Sequence, residues 1–131
     1  MDEPTTKPLI LVVDDHESQR SLFKLLSDRL EVSVHVVADG VEALEAVKTF
    51  NFDAVLMDVQ MPGMNGYQCT RKIREMEREI NRHTPIIAVT ACVLPGDREK
   101  CFDSGMDDYL SKPFELSALR AKIDTWIVRK A

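Results

Sequence analysis

The apolar residues of this 131-residue chain fall into five short runs, and each run is followed by a segment with a different spacing. The first run, LILVV at residues 9–13, is continuous and rich in β-branched side chains, which is typical of a strand buried on both faces. In the next segment, residues 18–30, the apolar positions follow the helical period. Repeated strand-then-helix units favour a parallel sheet with helices on both faces. We therefore predict a single α/β domain.

The bounds of the elements follow from the same change of period. The predicted strands are residues 9–13, 32–37, 54–57, 85–89 and 108–112. The predicted helices are residues 18–30, 39–50, 66–80, 97–104 and 115–129. We expect Asp39 to cap the second helix and Gly105 to end the fourth. The expected inward side chains are Leu22, Phe23, Leu26 and Leu30 in the first helix, Val41, Leu44 and Val47 in the second, and Cys69, Ile73, Met76 and Ile80 in the third.

Charge and composition exclude several classes of function. The net charge of −5 gives no electrostatic reason to expect nucleic acid or an anionic membrane as a direct partner. No apolar run approaches the ~20 residues of a membrane span, and the polar start MDEPTTKP is not a signal peptide. Three cysteines without a C-x-x-C pair predict reduced thiols in a cytoplasmic protein. We expect residues 1–8 to be a disordered lead-in and residues 130–131 a short tail.

Polar side chains stand at the carboxyl ends of four of the five predicted strands. Asp14 and Asp15 follow the first strand, Asp58 follows the third, Thr90 follows the fourth, and Lys112 is at the end of the fifth. Each residue alone is an ordinary turn or surface residue. The carboxyl ends of parallel strands meet at one edge of the sheet, where ligands bind in this class of fold. Their joint placement therefore predicts one functional site.

The chemistry of that site follows from its charges. Three carboxylates at close range repel one another and raise one another's pKa values, a problem that a hard divalent cation such as Mg²⁺ resolves. With the cation bound, one aspartate can stay ionised and act as a nucleophile, as in aspartyl phosphates. Lys112 and Thr90 suit the oxygens of a transferred phosphoryl group. We interpret His16 as a polar loop residue, because oxygen ligands suit Mg²⁺ better than imidazole does.

Four motifs together carry a family resemblance: VVDDH, LMDVQMPGMNG, PIIAVTA and DYLSKPF. With them the chain resembles a two-component response-regulator receiver domain from about residue 9 to residue 128, and most closely the receivers of hybrid sensor histidine kinases. The resemblance implies a flavodoxin-like, doubly wound sheet of five parallel strands in the order 2-1-3-4-5, with five helices, over residues 9–129. Asn65 stands where the family more often has Asp, and it still suits a helix start.

The resemblance also implies a role for each site residue. Asp58 would accept a phosphoryl group from the phosphohistidine of a histidine kinase or phosphotransfer protein. Mg²⁺ or Mn²⁺ would be held by Asp15, Asp58, the carbonyl of Gln60 and, through water, Asp14. Lys112, before a cis Lys112–Pro113 bond, would contact the phosphoryl group. Thr90 and Tyr109 would form a switch pair beneath an output surface of the fourth helix, fifth strand and fifth helix. The domain would thus be a signalling phosphoacceptor rather than an enzyme with a separate substrate.

Several alternatives remain beside this reading. A flavin or nucleotide binder would need a Gly-rich or Ser/Thr-rich loop where DDHES stands. An aspartate-nucleophile phosphatase usually carries a second acid where Gln60 stands. A degenerate receiver, which binds a partner without phosphorylation, would lack one of the key residues.

Gln60 and Cys92 stand two residues after Asp58 and Thr90, at positions that tune the lifetime of the phosphate in this family. Neither residue predicts fast self-hydrolysis. The chain is either a stand-alone regulator or, as we favour, a module of a longer kinase with its downstream partner unknown.

Overall fold

The centre of the molecule is a five-stranded parallel sheet. The structure, a computed structural model, describes residues 7–91 and 94–127. Within these residues the strands are β1 (Leu9–Val13), β2 (Ser33–Val37), β3 (Ala54–Met57), β4 (Ile86–Thr90) and β5 (Asp108–Ser111). The helices are α1 (Glu17–Leu30), α2 (Gly40–Thr49), α3 (Gly66–Glu79), α4 (Asp97–Ser104) and α5 (Leu116–Trp126). The predicted fold class is confirmed, as is the strand order β2-β1-β3-β4-β5.

Two apolar layers cover the sheet, one on each face. The alternate side chains of β1 divide between them: Leu11 and Val13 belong to the layer under α2, α3 and α4, while Ile10 and Val12 belong to the layer under α1 and α5. The three inner strands are buried throughout except at the first residue of β1, as continuous apolar runs predict for strands covered on both faces. The inner strands are therefore covered on both faces, whereas the outer strands β2 and β5 are only partly buried.

The inward faces of three helices differ in part from the prediction. In α2 the buried side is formed by small residues that include Ala43 and Ala46, whereas Val41 is 63% exposed. Small residues let this helix approach the loop before α3 closely: a Cβ at Gly40 would lie 2.7 Å from the sulfur of Met64. The predicted stripe of Val41, Leu44 and Val47 is therefore wrong at its first member, because close packing selected the small side chains.

The first and third helices show the same kind of correction. Leu22 is 37% exposed on α1, where Phe23 and Leu30 are buried. Ile80, predicted to face inward, lies just after the end of α3 and is 66% exposed. The last buried residue of α3 is instead Glu77, which pairs with Arg74. The helical period located the faces, but it did not show which polar side chain would find a buried partner.

The ends of several elements also moved by a residue or more. β4 begins at Ile86 rather than at Pro85, which has no N–H to donate to a neighbouring strand. β5 ends at Ser111, and α5 ends at Trp126 because Ile127 adopts an extended backbone. The caps are confirmed: the Asp39 side chain accepts the Glu42 N–H, and Gly105 has a left-handed backbone with φ 107°. Residues 1–6 of the predicted lead-in, Cys92 and the tail lie outside the described residues.

Candidate functional site

Backbone hydrogen bonds hold two of the predicted acids at the carboxyl edge of the sheet. The Asp14 N–H donates to the Val37 carbonyl at 3.1 Å, and the Asp58 N–H donates to the Val13 carbonyl at 2.9 Å. Each bond extends the strand pairing one residue past the strand end. Asp14 and Asp58 are 2% and 5% exposed, so both carboxylates sit at the boundary between the core and solvent. Asp15 follows on the same edge and is only half-buried.

Lys112 reaches both buried acids from the far side of the sheet. Its N–H donates to the Thr90 carbonyl at 2.8 Å, which fixes the start of the loop after β5. Its ammonium Nζ lies 2.8 Å from Asp14 Oδ2 and 3.8 Å from Asp58 Oδ2. The following Lys112–Pro113 bond is cis, as predicted. The structure thus brings the predicted cation to the predicted carboxylates.

Burial is the main influence on the ionisation of Asp58. Loss of solvation raises the pKa of its carboxyl to about 6, and the nearby charges of Asp14 and Asp15 add to that increase. The Lys112 ammonium acts in the opposite direction, as does the Gln60 N–H that donates to Asp58 Oδ1 at 3.3 Å. At neutral pH the carboxyl is therefore mainly ionised, but at a cost in free energy that a bound cation would lower.

The acids also fit a divalent cation. Asp14, Asp15, His16 and Asp58 each offer one donor atom within 4.8 Å of the others. The Oδ1 atom of Asp15 is buried and accepts no hydrogen bond, although His16 Nδ1 lies 3.2 Å away. One ammonium leaves three carboxylates under-neutralised, and carboxylate oxygens are the ligands that Mg²⁺ prefers. The donor set therefore suits Mg²⁺. Gln60 lies beside Asp58, and the use of its carbonyl stays a prediction.

The two residues of the predicted switch pair lie on neighbouring strands. Thr90 ends β4 and is 4% exposed. Tyr109 lies in β5 opposite Ala88, is half-buried, and packs against the core layer under α4. The Arg98 guanidinium of α4 lies 5.8 Å from the centre of the Tyr109 ring. Their role as a switch pair and their coupled movement stay predictions.

Two further side chains contact the acid pair, and the sequence did not predict these contacts. His16 precedes α1 as an exposed polar residue, and its Nδ1 lies 3.1 Å from Asp14 Oδ1 and 3.2 Å from Asp15 Oδ1. Arg20, one turn into α1, donates from Nη1 to the Asp14 carbonyl at 2.8 Å. The available signal was position alone: His16 adjoins the acid pair, and Arg20 follows His16 by one helical turn.

The chain has clear relatives. Residues 10–124 match the model of the family described as response regulator receiver domain. The hybrid signal transduction histidine kinase I of Dictyostelium discoideum is 38% identical over 125 residues, which cover 92% of this chain and 7% of that protein. This chain spans only 7 to 13% of the length of the first five curated relatives, all of them histidine kinases or sensor proteins.

Solved structures agree with the same family. The receiver domain of a sensor histidine kinase from Pseudomonas aeruginosa, with magnesium coordinated in its active-site cleft, is 39% identical with a TM-score of 0.83 over 92% of this chain and 98% of that one. A second match comes from a Saccharomyces cerevisiae co-crystal structure of the histidine phosphotransfer protein Ypd1 and the receiver domain of Ssk1. It is 28% identical with a TM-score of 0.82, over 95% of this chain and 91% of that one. Among the described residues, no helix is long and apolar enough to cross a membrane.

Proposed function

The chain belongs to the response regulator receiver domain family, and we propose that Asp58 is the residue that accepts a phosphoryl group in its two-component phosphorelay. One observation supports this most directly: Asp58 directly follows the buried strand β3, and the Lys112 ammonium lies 3.8 Å from its Oδ2. A buried strand holds the nucleophile at the carboxyl edge of the sheet, the edge at which ligands bind in this class of fold. The other acids of the edge surround it within ligand distance of one ion.

In the proposed reaction one carboxylate oxygen of Asp58 attacks the phosphorus of a phosphohistidine. The new O–P bond forms as the N–P bond of the donor breaks, and the donor ring leaves as neutral imidazole, taking up a proton if its second nitrogen lacks one. The Lys112 ammonium neutralises part of the charge on the transferred oxygens, and the Thr90 hydroxyl donates to one of them. The product is an aspartyl phosphate on Asp58.

The residues that would hold a divalent cation are Asp14, Asp15 and Asp58, with the carbonyl of Gln60. A bound Mg²⁺ supplies positive charge next to the phosphoryl oxygens. The protein itself must hold three carboxylates close together in spite of their repulsion. The Lys112 ammonium does this by neutralising charge. Backbone hydrogen bonds fix the acids in place, with N–H donors from residues 14, 16, 58 and 60.

Switching is the second half of the proposal. A phosphoryl dianion on Asp58 draws the Thr90 hydroxyl toward it, and the half-buried Tyr109 ring moves inward to fill the space. The surface formed by α4, β5 and α5 then changes. The helix α4 supports this role because Cys101 and Ser104 are its only buried residues, so it buries little apolar surface.

Mass measurement tests the acceptor. The protein is incubated with Mg²⁺ and acetyl phosphate, and its intact mass is recorded. We expect one phosphoryl adduct on the natural sequence and none on Asp58→Ala. Asp53→Ala, in the loop before β3, is the matched control and should keep the adduct. An adduct that persists in Asp58→Ala, or its absence with every small donor, would contradict the proposal.

Amide NMR tests the switch. Beryllofluoride, a mimic of the phosphoryl group, is added with Mg²⁺, and the amide shifts are compared. We expect the largest changes at the site and in residues 94–127, where α4, β5 and α5 lie. If the amide shifts change at the site but not in α4 and β5, the proposed output surface is contradicted, while the proposal that Asp58 accepts the phosphoryl group still stands.

The partner class follows from the same chemistry. A receiver of the yeast pathway is seen with a histidine phosphotransfer protein, which supports a phosphohistidine donor here. We propose that the donor is a histidine kinase or phosphotransfer protein in the cytoplasm and that the domain serves a longer hybrid kinase, with a stand-alone regulator as the alternative. The domain catalyses two reactions, its own phosphorylation on Asp58 and the slow hydrolysis of the resulting aspartyl phosphate.

A further inference from the structure

The loop between β1 and α1, residues 14–16, carries two of the three acids of the site, and an arginine reaches back into it from α1. Arg20 is half-buried, and its Nη1 donates to the Asp14 carbonyl at 2.8 Å. The bond joins the helix to the main chain of the loop rather than to a carboxylate. Arg20 thus contacts the loop from outside the group of acidic side chains.

This bond holds one peptide unit of the loop. The bonded carbonyl belongs to the peptide between Asp14 and Asp15. Because a peptide unit is planar, a contact that fixes its oxygen also fixes the direction in which the chain continues to the Asp15 Cα. On the other side, the Asp14 N–H donates to the Val37 carbonyl at 3.1 Å. Strand pairing therefore fixes the chain before Asp14, and Arg20 fixes the chain after it.

The two acids of the loop depend on this peptide to different degrees. The Asp14 carboxylate has supports of its own, because Oδ1 accepts the His16 N–H at 2.9 Å and Oδ2 lies 2.8 Å from Lys112 Nζ. The Asp15 side chain is 26% exposed, and its Oδ1 accepts no hydrogen bond from the described residues. The His16 ring, 3.2 Å from that oxygen, is itself 62% exposed. The place of the Asp15 carboxylate therefore depends mainly on the backbone that carries it.

We propose that Arg20 is a positioning residue of the cation site, which acts through the Asp14 carbonyl and holds Asp15 where a divalent ion binds it. This role rests on the proposed function, because it concerns how the chain prepares the site for the same reaction. A ligand that is already in place loses less conformational freedom when the ion binds, so the ion binds more tightly. Arg20 itself does not touch the ion.

The positive charge of Arg20 gives this role a sign that can be measured. A guanidinium near a cation site repels the ion, so the loss of its charge alone would strengthen Mg²⁺ binding. The loss of a positioning hydrogen bond would weaken Mg²⁺ binding, by about three- to tenfold for the net contribution of one such bond. The direction of the change in the Mg²⁺ dissociation constant therefore separates the two effects.

Calorimetric Mg²⁺ titration of Arg20→Met, without any phosphodonor, tests the role. We expect the dissociation constant to rise about three- to tenfold. Arg120→Met is the matched control, because Arg120 Nη1 donates to the Arg29 carbonyl at 2.7 Å, the same kind of bond at the other end of α1. Its Mg²⁺ affinity should be unchanged. Urea denaturation establishes that each variant is folded during titration, and Arg20→Gln, which is shorter and uncharged, replaces Arg20→Met if that variant does not fold.

Amide exchange in EDTA tests the same role without the ion. The His16 N–H is bonded to Asp14 Oδ1, so a loosened loop should let this amide exchange faster with water in Arg20→Met. The exchange of the β3 and β4 amides should not change, and Arg120→Met should leave the His16 amide as it is. A general loss of stability would instead speed the exchange of all of these amides together.

The outcomes separate the role of Arg20 from the proposed function. An unchanged or lower Mg²⁺ dissociation constant in folded Arg20→Met, or unchanged exchange of the His16 amide, would overturn the role of Arg20. Phosphorylation by acetyl phosphate should need more Mg²⁺ in this variant and recover at saturating Mg²⁺; a rate that does not recover would contradict a role through the cation. Weakened Mg²⁺ binding in Arg20→Met, with no phosphoryl adduct on the natural sequence, would defeat the proposed function and leave Arg20 as a positioning residue.

Discussion

At the residue scale, the position of Asp58 directly after a buried strand changes the pKa of its carboxyl group. It is 5% exposed and its pKa is raised to about 6, chiefly by burial. The folded protein therefore holds the Asp58 proton more tightly than the unfolded chain, whose value is 3.8. The contribution of this group to the free energy of unfolding is greatest below pH 3.8 and is lost as the pH rises through about 6.

Asp58→Asn should therefore stabilise the metal-free protein at pH 7.5. We expect the free energy of unfolding to increase by about 1 to 2 kcal/mol, less than the whole shift implies because solvent reaches the open side of the site. The gain should shrink toward zero as the pH falls from 7.5 to 4. Urea denaturation with EDTA measures it, and Asp103→Asn, an exposed carboxylate of α4, is the control. Equal stability of Asp58→Asn and the natural protein at pH 7.5 would contradict the burial cost.

At the element scale, the connection from β3 to α3 sets the position of the acceptor. Asn65 caps α3 and exchanges hydrogen bonds with Gln68. Gly66, the first residue of that helix, donates its N–H to the Val59 carbonyl at 2.9 Å. A Cβ at Gly66 would collide with the carbonyl oxygen of Asp58 and lie 2.9 Å from Val59 Cα. The helix thus packs directly on the backbone that carries the nucleophile.

Gly66→Ala should disturb both stability and the site. We expect a loss of about 2 kcal/mol in the free energy of unfolding, because backbone atoms cannot move aside cheaply, together with weaker Mg²⁺ binding. Gly63→Ala is the comparison: no atom lies within 4 Å of its Cβ position, and only its φ of 76° imposes strain, about 1 kcal/mol. Urea denaturation and calorimetric Mg²⁺ titration measure the two effects. Unweakened Mg²⁺ binding in Gly66→Ala would show that the contact does not position Asp58.

A second element contact joins α3 to the amino end of the sheet. The Arg74 guanidinium donates to the carbonyls of Gly105 and Thr84 at 2.9 and 2.7 Å. It also pairs with the carboxylates of Glu77 and Asp107 at 2.6 and 2.8 Å. One side chain thereby connects α3, the loop before β4 and the turn after α4, on the edge opposite the proposed site.

Arg74→Met should be strongly destabilising. It leaves the Glu77 carboxylate, 6% exposed, without its cation, and we expect a loss of about 3 to 5 kcal/mol in urea denaturation. Arg71→Met, one turn earlier on the exposed side of α3, should change stability by less than about 0.5 kcal/mol. Comparable losses in the two variants would show that the Arg74 contacts contribute little.

At the scale of the whole molecule, one sheet separates two cores, and access to either requires opening the fold. Cys69 and Cys101 both lie in the layer under α2, α3 and α4 and are free thiols. Burial raises the pKa of the Cys69 thiol to about 12 and also raises that of Cys101. Both thiols are thus protonated and covered in the native state.

Alkylation should therefore report on opening of the molecule. At pH 7.5 we expect iodoacetamide to leave Cys69 unmodified in the native protein and to modify it in urea at a rate that follows global unfolding. Cys101, on the shorter helix α4, should react earlier. Peptide mass spectrometry gives the site, with fully unfolded protein as the control. Rapid labelling of Cys69 in the native protein would mean that this core opens locally.

Much of the fold and site was open to prediction because both depend on local patterns. Every strand was predicted to within one residue at each end, and the three inner strands were the clearest, since burial on both faces makes them short continuous apolar runs. Parallel strands then bring their carboxyl ends to one edge, which placed Asp14, Asp58 and Lys112 together although Lys112 is 98 residues from Asp14. Caps at Asp39 and Asn65 were equally local.

The sequence by itself determined the order of elements, the strands and the edge that carries the acids, because period and parallel topology are properties of neighbouring residues. The tertiary structure alone decided which side chains meet. It turned Val41 to solvent in favour of small residues, buried Glu77 on Arg74, and aimed His16 at the acid pair. Arg74 finds Gly105 and Asp107 at 31 and 33 residues along the chain, a pairing that helix packing creates and no local period encodes.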